Sequence, residues 1–497
     1  MIVYNHLIKW IVAYRTINCF VVQTWFVPDE YWQTLEPAHK LAFGYGYLTW
    51  EWTNGLRTYL YPCIFASLYS LVAFAGLDNT ICFTYSPKLL TFLLSCFADW
   101  RLFKFVQLLY DDKVASWTLL LYWCNWFQFY CVPRTLLNSA ELALVIIGLS
   151  YLPIWDKQRF QLASSNKNHL VVSSIVFTLV TLIRPTSALI WVPLWINFLY
   201  RFDFVKSFLI SFLVGLITVF FVSVIDFLCY GYFVIPIINF IHFNMWQGGS
   251  AFFGSHPWHW YITVGIPSTF FTLLIPISKG VKMCTSNLII LYVCALYVIT
   301  HSFIAHKEFR FVLPLIPLMS IYGGFYLTQI RNKRNLAFMM LFISITNIPL
   351  ALFTSLLHQR GTLTVMDVLR REASENHNIE MNIWFLMPCH STPFYSHLHR
   401  PVEMRFLTCE PNLNNITNYT SESDLFHKHP EIWIQLEMRN IRPTHLVLYE
   451  NMYHRLEAIL IEKGYTKCRK IFHTFFPISK RQSRWIVIAC KEMLCYK

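Results

Sequence analysis

Two adjacent carboxylates follow the first long apolar run of the chain. Asp29 and Glu30 stand in the stretch FVPDEYWQTLE, directly behind residues 7–27, which are apolar enough to cross a bilayer. A carboxylate at a membrane edge is costly to keep charged and usually serves a function. It can act as a general base that removes a proton from a hydroxyl group, or it can favour the start of the following helix. The two roles are compatible, because the start of a helix holds a base rigidly.

A second ionisable cluster interrupts two apolar runs at AHKEFRF, residues 305–311. It contains His306, Lys307, Glu308 and Arg310 within five positions. The cluster could be a turn in which a lysine–glutamate pair forms and the basic side chains extend to water. A phosphate group is the other candidate partner, because arginine presents a planar fork to phosphate oxygens and lysine a point charge.

The stretch 28–59 is too polar to cross a membrane and too apolar to extend freely into water. It favours short amphipathic pieces that lie on the membrane surface. Its side chains could bind sugar rings, although anchoring at the membrane interface explains the aromatic ones nearly as well. The candidates for acceptor or sugar binding are Trp32, Gln33, Trp50, Glu51 and Arg57.

Two weaker patterns lie between these stretches. Arg134, Asn138 and Glu141 recur at helical spacings, so one helix face could be polar. Arg184 stands directly before Pro185, a residue that breaks helices. Each pattern could be a structural ion pair inside the membrane or part of a functional site.

Composition indicates which elements must position these residues. Of the 497 residues, 56% are hydrophobic and only 13% charged, whereas soluble domains carry about 25% charged residues. The chain is therefore predicted to be a polytopic α-helical membrane protein with roughly 11 or 12 crossings, depending on whether 170–199 crosses once or folds back. The candidate spans are 7–27, 60–77, 86–106, 115–131, 138–154, 170–199, 207–229, 258–277, 285–304, 310–328 and 335–354.

The basic residues indicate an orientation in the membrane. The net charge is +13, but the basic residues come in small clusters between apolar runs, which is typical of cytoplasmic loops and not of nucleic-acid binding. RNKRN at 331–335 and SKGVK at 278–282 are predicted to be cytoplasmic, so 305–310 and the tail after about 355 lie on the opposite, lumenal side.

The tail carries its own signals. It contains two glycosylation sequons, at Asn415 and Asn418, and a cysteine pair, Cys389 and Cys409, that could form a disulfide in an oxidising lumen. Short apolar runs alternate there with one helical pattern. We predict a transmembrane domain over 1–356, with its first lumenal loop at about 28–59, and a small lumenal α/β domain over 357–497.

Several of these stretches together resemble a known family. They are FVPDEYWQTLEPAHKLAFGYGYLTWEW, GLRTYLYP, PRTLLNSAE, HKEFRFVLPLIPL and LMPCHSTPFYSHLHRPVEMRFLTCEP. They resemble the GPI-anchor mannosyltransferases of glycosyltransferase family 22, and PCHSTPFYSH points to members that add the third mannose. HKEFRF is shared with lumenal mannosyltransferases of the N-glycan precursor, so it does not define the acceptor.

The resemblance implies a GT-C fold in the endoplasmic reticulum membrane, with a lumenal active site. The implied donor is dolichyl-phosphate mannose and the implied acceptor a mannosylated glucosaminyl-phosphatidylinositol lipid, joined in α-1,2 linkage with inversion. Asp29 matches the family's base and Glu30 its acidic neighbour. Inversion in one step needs one base, and His306, Lys307, Glu308 and Arg310 are then the candidates for the donor-phosphate site.

No metal and no cofactor is expected, because the donor carries a single phosphate and the scattered cysteines lack the spacing of a zinc site. Two alternatives stay open. One is a mannosyltransferase of the dolichol-linked N-glycan precursor. The other is a lipid transporter or scramblase, for which Arg184 and Glu141 would line a path.

Overall fold

The computed structural model describes residues 6–79, 81–152, 165–201, 204–249, 252, 254–375, 380–413, 416–439 and 441–491. The described chain is mostly helical, with one mixed β-sheet near its C-terminal end. It divides into two compact units. Unit 1 comprises 1–21, 51–63 and 87–352, and unit 2 comprises 22–50, 64–86 and 353–497.

Helices dominate the first 356 residues. In chain order they are α1 (Leu7–Val21), α2 (Glu36–Phe43), α3 (Trp50–Thr53), α4 (Leu60–Phe74), α5 (Ile81–Leu109), α6 (Asp112–Cys124), α7 (Trp126–Cys131), α8 (Leu137–Tyr151), α9 (Ser165–Ile183), α10 (Ala188–Arg201), α11 (Phe204–Tyr230), α12 (Pro236–Ile241), α13 (Ile266–Phe270), α14 (Leu274–Met283), α15 (Leu288–Phe303), α16 (Leu315–Gln329) and α17 (Lys333–Leu356). Shorter π-helical or 3₁₀ turns occur at Tyr31–Leu35, Pro185–Ser187, His242–Trp246, Tyr261–Gly265, Phe271–Leu273 and Phe309–Val312.

The apolar helices agree with a membrane protein. Four helical segments of the described chain are long and apolar enough to cross a bilayer, namely Ile81–Leu109, Phe204–Tyr230, Tyr261–Met283 and Lys333–Glu375. Helix α11 exposes large apolar side chains along its length, including Phe212, Phe220 and Leu228, as a helix facing lipid does. The predicted helical membrane architecture is confirmed, and the number of crossings stays a prediction.

The predicted span 170–199 is two helices. Helix α9 ends at Ile183, and α10 begins at Ala188 after a 3₁₀ turn over Pro185–Ser187. The break follows from proline chemistry, because Pro185 lacks an N–H group and its ring disfavours the helical conformation of the residue before it. Arg184 is accordingly extended, with φ −140° and ψ 99°.

A buried ion pair ties α1 into unit 1. The Arg15 guanidinium donates from Nε and Nη2 to the two carboxylate oxygens of Asp99 on α5, at 2.8 and 2.6 Å. Both side chains are fully buried, so each charge depends on the other for compensation. The pair holds α1 in place, and Asp29 follows eight residues beyond the end of that helix at Val21.

The C-terminal part of unit 2 is an α/β fold, as predicted. Its helices are α18 (Gly361–Glu375), α19 (Tyr395–Leu398), α20 (Glu422–Lys428), α21 (Pro430–Glu437) and α22 (Glu450–Glu462), and its strands are β1 (Asn382–Phe385), β2 (Glu403–Phe406), β3 (His445–Tyr449), β4 (Tyr465–Phe472) and β5 (Trp485–Lys491). The strand order is β2-β1-β3-β5-β4. Strand β1 is parallel to β2 and β3, whereas β5 is antiparallel to β3 and β4. The apolar runs NIWFLMPC, THLVLYE and RWIVIACK supply the three central strands, and their side chains pack on α22 around Leu456.

Unit 2 differs from the predicted tail domain because it also contains 22–50 and 64–86. Backbone hydrogen bonds explain the difference. Gln23 N donates to Ser355 O at 2.9 Å, and Trp25 N donates to Gln359 O at 3.2 Å. Residues 22–50, which include most of the first predicted loop, therefore fold with the C-terminal residues of the chain, whereas 51–59 belong to unit 1.

Candidate active site

The stretch that carries the two acids begins a helical segment in unit 2. The N–H groups of Tyr31 and Trp32 both donate to Pro28 O at 3.0 Å, which starts the π-helical turn Tyr31–Leu35 that continues into α2. Asp29 is half-buried, and Glu30 is buried but makes no side-chain hydrogen bond that caps this turn. The predicted base thus sits at a rigid helix start, partly accessible to a substrate.

Trp32 is embedded among aromatic rings of unit 2. Its ring lies 4.8 Å from His390, 5.0 Å from Phe394 and 5.2 Å from Phe406 between centroids. Its Nε1–H donates to Thr392 O at 3.2 Å. These contacts give Trp32 an anchoring role for the loop, and its predicted contact with a sugar stays a prediction. The neighbouring Gln33 is buried in the same turn.

Glu36 is a second anchor between the loop and the tail. One carboxylate oxygen accepts hydrogen bonds from Phe394 N at 2.7 Å, Ser396 Oγ at 2.6 Å and Ser396 N at 3.2 Å. Burial raises the pKa of Glu36 to about 7, although these hydrogen bonds oppose the rise. The tail motif PCHSTPFYSH therefore forms hydrogen bonds with the loop at two residues, Trp32 and Glu36.

His390 is the residue of that motif whose electrostatics involve Asp29. Burial lowers the pKa of His390 to about 4, and the Asp29 carboxylate opposes that shift. His390 is therefore neutral at neutral pH. It has a left-handed backbone, with φ 56°, and it follows Cys389, which is disulfide-bonded to Cys409. Sequence reasoning missed His390, although the density of polar and aromatic residues beside the cysteine pair was a signal.

Two predicted sugar-binding residues lie in unit 1 and pair with each other. Arg57 Nη2 donates to Glu51 Oε1 at 2.7 Å, and both side chains are partly exposed. The Arg57 guanidinium also lies 5.3 Å from the centre of the Phe240 ring. Trp50, assigned to unit 2, is buried.

The HKEFRF cluster forms a compact ion network in unit 1. Arg310 donates from Nε to Glu308 Oε2 and from Nη2 to Glu308 Oε1, both at 2.6 Å. His306 Nε2 contacts the same Glu308 Oε1 at 2.9 Å. Burial would raise the pKa of Glu308, but Arg310 and His306 lower it to about 2, so this carboxylate stays charged. The acid of the motif thus pairs with arginine and histidine, whereas the sequence suggested lysine.

The Lys307 side chain forms hydrogen bonds with backbone carbonyl groups. The ammonium group donates to Ile304 O at 2.6 Å and to His256 O at 2.9 Å. Lys307 as a whole is 3% exposed. Burial lowers the pKa of Lys307. Among the residues that the structure describes, no carboxylate forms an ion pair with it, so its positive charge is uncompensated locally.

The weaker pattern from α8 and the α9–α10 break joins this network. Arg184 Nε lies 2.7 Å from Glu141 Oε2, and Arg184 Nη1 donates to Asn138 Oδ1 at 3.2 Å. Asn138 Nδ2 donates in turn to Arg310 O at 3.3 Å. Arg134 Nε donates to Tyr130 O at 2.9 Å.

The predicted site residues therefore fall into two groups. Unit 1 brings together His306, Glu308, Arg310, Asn138, Glu141 and Arg184, with Glu51–Arg57 as a separate pair. Unit 2 holds Asp29, Glu30, Trp32 and Gln33. Of the two sequons, Asn418 is exposed in a turn, and Asn415 lies outside the described residues.

Two groups of side chains in the tail could hold a metal ion by spacing alone, and in one of them, Cys389, His390 and Cys409, the two cysteines form a disulfide. The other group has no such bond. Glu372, His445 and Cys490 place one ligand atom each within 4.8 Å of one another. The pairing of β3 with β5 sets His445 opposite Cys490, and His445 Nε2 contacts Glu372 Oε1 at 3.2 Å. These contacts account for the group without an ion, and the expected absence of a metal in the reaction stays a prediction.

The family model described as the Alg9-like mannosyltransferase family matches residues 6–399 of this chain. The chain belongs to the Alg9-like mannosyltransferase family. The match covers the acids at 29–30, the ion network at 306–310 and the tail motif at 388–397. The chain is therefore a mannosyltransferase.

Curated relatives match nearly the whole chain. Proteins named GPI alpha-1,2-mannosyltransferase 3 from Bos taurus and Homo sapiens are each 39% identical to it, covering 96% and 95% of this chain and 88% and 84% of the relatives. A protein named GPI mannosyltransferase 3 from Candida albicans is 31% identical and covers 98% of both chains.

Solved structures share the fold. A crystal structure of ArnT from Cupriavidus metallidurans bound to undecaprenyl phosphate has a TM-score of 0.62 at 12% identity and covers 99% of this chain and 98% of that one. An oligosaccharyltransferase from Archaeoglobus fulgidus has a TM-score of 0.51 at 12% identity, over 98% of this chain and 76% of that one. The expected GT-C fold is confirmed.

Proposed function

We propose that this mannosyltransferase adds the third mannose to the GPI-anchor precursor in the endoplasmic reticulum membrane. The donor is dolichyl-phosphate mannose, the acceptor is a mannosylated glucosaminyl-phosphatidylinositol lipid, and the new linkage is α-1,2. The observation that carries the proposal is the similarity, over nearly the full chain, to relatives named GPI alpha-1,2-mannosyltransferase 3.

Asp29 is the proposed general base. It removes the proton from the 2-hydroxyl of the terminal acceptor mannose while that oxygen attacks the anomeric carbon of the donor. Its half-buried position at a helix start supports this role, because the base is both oriented and accessible. Neutral His390 and the adjacent Glu30 orient the carboxylate. Inversion requires a single displacement, so no covalent intermediate forms.

The HKEFRF cluster is the proposed site of the donor phosphate. Lys307 supplies a positive charge that no described carboxylate cancels. Arg310, which Glu308 fixes in orientation, supplies hydrogen-bond donors near the developing negative charge. Dolichyl phosphate leaves as a stable anion, so no general acid is needed. With one phosphate on the donor, no divalent metal is needed either, and we expect activity to survive chelation.

The decisive experiment combines a lipid analysis with one substitution. Cells without this protein should accumulate the GPI precursor that carries two mannoses, and wild-type protein should restore the third. Asp29→Asn, which keeps the size of the side chain, should abolish restoration at normal protein abundance. Asp424→Asn, at an exposed pair with Arg481 in the tail, is the matched control and should restore fully.

Three results would contradict the proposal. Accumulation of a truncated dolichol-linked oligosaccharide would assign the chain to the N-glycan precursor. Full restoration by Asp29→Asn would remove Asp29 from the reaction. Loss of transfer after removal of divalent cations would mean that the reaction needs a metal.

A further inference from the structure

Several buried polar atoms near the ion network lack a hydrogen-bond partner within the described parts of the chain, and two of them belong to neighbouring rings. These two are the hydroxyl oxygen of Tyr261 and Nε2 of His301, in side chains that are 0% and 2% exposed. A buried polar group without a partner costs about 1–3 kcal/mol. A bound ligand or a water molecule that forms hydrogen bonds with these two atoms would remove that cost.

The two atoms have opposite hydrogen-bonding character. His301 Nδ1 lies 2.9 Å from Tyr297 O, and because a carbonyl only accepts, Nδ1 carries the proton. Nε2 of the neutral ring is then an acceptor. The Tyr261 hydroxyl has no partner among the described residues, so its proton is free to be donated. The two side chains therefore offer one unmet donor and one unmet acceptor.

The two side chains face the same surroundings. Their ring centroids are 6.3 Å apart with the planes at 87°. Both interact electrostatically with Arg184. Arg184 stands at the break between α9 and α10, and Tyr261 opens a π-helical turn. Irregular backbone at membrane depth is tolerated where it is buried in protein or lines a water-filled cavity, and interrupted helices commonly contribute to substrate sites there.

Charge and hydrogen bonding together select the ligand. Each arginine of the cluster already has its own carboxylate, Glu141 for Arg184 and Glu308 for Arg310, at 2.6–2.7 Å. These two arginine–carboxylate pairs are close to neutral, whereas Lys307 keeps its positive charge. A phosphodiester anion accepts hydrogen bonds but has no proton for His301 Nε2. A sugar hydroxyl is uncharged and can accept from Tyr261 while it donates to His301.

We propose that Tyr261 and His301, beside the Arg184–Glu141 pair, bind a hydroxyl group of the sugar that the lipid donor carries. Both residues are specificity determinants for the donor sugar, distinct from Lys307, which serves the phosphate. This inference rests on the proposed function for the identity of the donor. It predicts that the pair distinguishes the glycosylated lipid from the bare lipid phosphate.

The test measures binding without turnover. Purified full-length protein in lipid nanodiscs, without acceptor, is titrated with dolichyl-phosphate mannose and separately with dolichyl phosphate. Tyr261→Phe deletes the hydroxyl, and His301→Asn keeps a donor for Tyr297 O while deleting Nε2. Tyr322→Phe is the matched control, because it deletes a buried hydroxyl that already donates to Asn287 O at 3.0 Å.

We expect Tyr261→Phe and His301→Asn to weaken binding of dolichyl-phosphate mannose about fivefold or more, the equivalent of one hydrogen bond. Binding of dolichyl phosphate should stay unchanged in both, and Tyr322→Phe should change neither. Equal weakening with the two lipids would identify phosphate as the ligand and overturn the proposal. No weakening with either lipid would mean that water completes the two atoms, which also overturns it.

A second measurement avoids dependence on folding of the variants. Wild-type protein is titrated with donors that each lack one hydroxyl of the mannose. One of these deoxy donors should bind at least about tenfold more weakly than the full donor, because the missing hydroxyl leaves Tyr261 and His301 unpaired. Uniform binding of all the deoxy donors would overturn the proposal. Tight donor binding together with transfer to another acceptor would refute the proposed function and leave this inference intact.

Discussion

Arg310 meets Glu308 through two hydrogen bonds of 2.6 Å, and this fork-to-fork geometry is specific to arginine. A lysine at the same position would keep the charge and lose one of the two bonds. The pair therefore allows charge and geometry to be tested separately.

We predict that Arg310→Lys lowers kcat/KM for the donor about tenfold or more, because a single ammonium cannot hold the orientation that Glu308 imposes. Steady-state transfer assays with varied dolichyl-phosphate mannose measure this. Arg455→Lys is the control, since Arg455 makes a similar two-bond contact with Glu431 at an exposed position of the tail. Similar kinetics for Arg310→Lys and wild type would show that charge alone matters at this position.

At the scale of residues, the sequence predicts which side chains lie close together along the chain but not which of them pair. His306, Glu308 and Arg310 were predicted as a group, and the structure brings them together. That Glu308 pairs with Arg310 could not be predicted, because the backbone geometry of a turn decides which side chains meet. Tyr261 and His301 gave no signal, since single polar residues in apolar runs are common.

Helix α9 stops at Ile183, and this interruption places Arg184 against α8. The extended conformation at Arg184 depends on Pro185. Without the proline, α9 could continue through this position and turn the Arg184 side chain away from Glu141.

We therefore predict that Pro185→Ala lowers mannose transfer several-fold or more, because loss of the Arg184–Glu141 contact leaves Glu141 buried without compensation. Pro193→Ala, at a proline inside α10, is the matched control and should affect transfer much less. In vitro transfer at equal protein abundance compares the two. An equal loss in both variants would assign the effect to general helix destabilisation.

The contact of Glu36 with α19 predicts a pH-dependent stability of unit 2. The pKa of Glu36 rises from 4.5 to about 7 on folding. The folded state therefore binds the Glu36 proton more tightly than the unfolded state does. The resulting stabilisation of the folded state is present in full below pH 4.5 and is lost as pH rises through 7. At about 1.4 kcal/mol per pKa unit, the contribution is at most between about 3 and 4 kcal/mol.

Glu36→Gln mimics the protonated acid, so the melting temperature of the variant should fall less than that of wild type between pH 5 and about 7.5. The difference between the two curves isolates Glu36 from the histidines of unit 2. Glu457→Gln on α22, whose carboxylate is 44% exposed, should follow wild type. Parallel curves for wild type and Glu36→Gln would show that Glu36 does not titrate in this range.

At the scale of elements, apolar runs predicted some helices well, whereas the predicted spans 115–131 and 258–277 each contain more than one helical element. Helices α5, α11 and α17 lie within a few residues of the predicted spans 86–106, 207–229 and 335–354. The alternating apolar runs of the tail likewise became β1, β3 and β5. Hydrophobicity does not encode the α9–α10 break, and the proline alone left two alternatives.

The whole chain carries two chemical markers of compartment in the tail. Cys389 and Cys409 form a disulfide, and Cys468 is also disulfide-bonded. Structural disulfides persist in oxidising compartments such as the lumen of the endoplasmic reticulum. The exposed sequon at Asn418 belongs to the same part of the chain.

We predict that Asn418 carries an N-linked glycan. Treatment with an endoglycosidase should increase the electrophoretic mobility of the wild-type protein, and Asn418→Gln should reduce or remove that shift, with Asn415→Gln tested in parallel. A cysteine-directed membrane-impermeant reagent should reach Cys389 only after reduction and permeabilisation of the lumenal compartment. Labelling of the tail from the cytoplasmic side would contradict the predicted lumenal position of the tail.

The division of the chain could not be predicted from sequence. The composition change near residue 360 predicts a separate domain over 357–497, whereas unit 2 also includes 22–50 and 64–86. The contacts responsible, such as Trp32 with Thr392, join residues 360 positions apart. No local pattern encodes a pairing at that distance.

The same separation has a consequence for biosynthesis. When the ribosome has made the stretch with Asp29, the segment that forms hydrogen bonds with Trp32 and Glu36 is still some 360 codons away. Closing so long a loop makes assembly slow. A nascent polypeptide therefore remains near the translocon before the loop that carries Asp29 can fold. A nonsense codon late in the gene, even one that spares every helix of the membrane part, should yield a product that quality control discards.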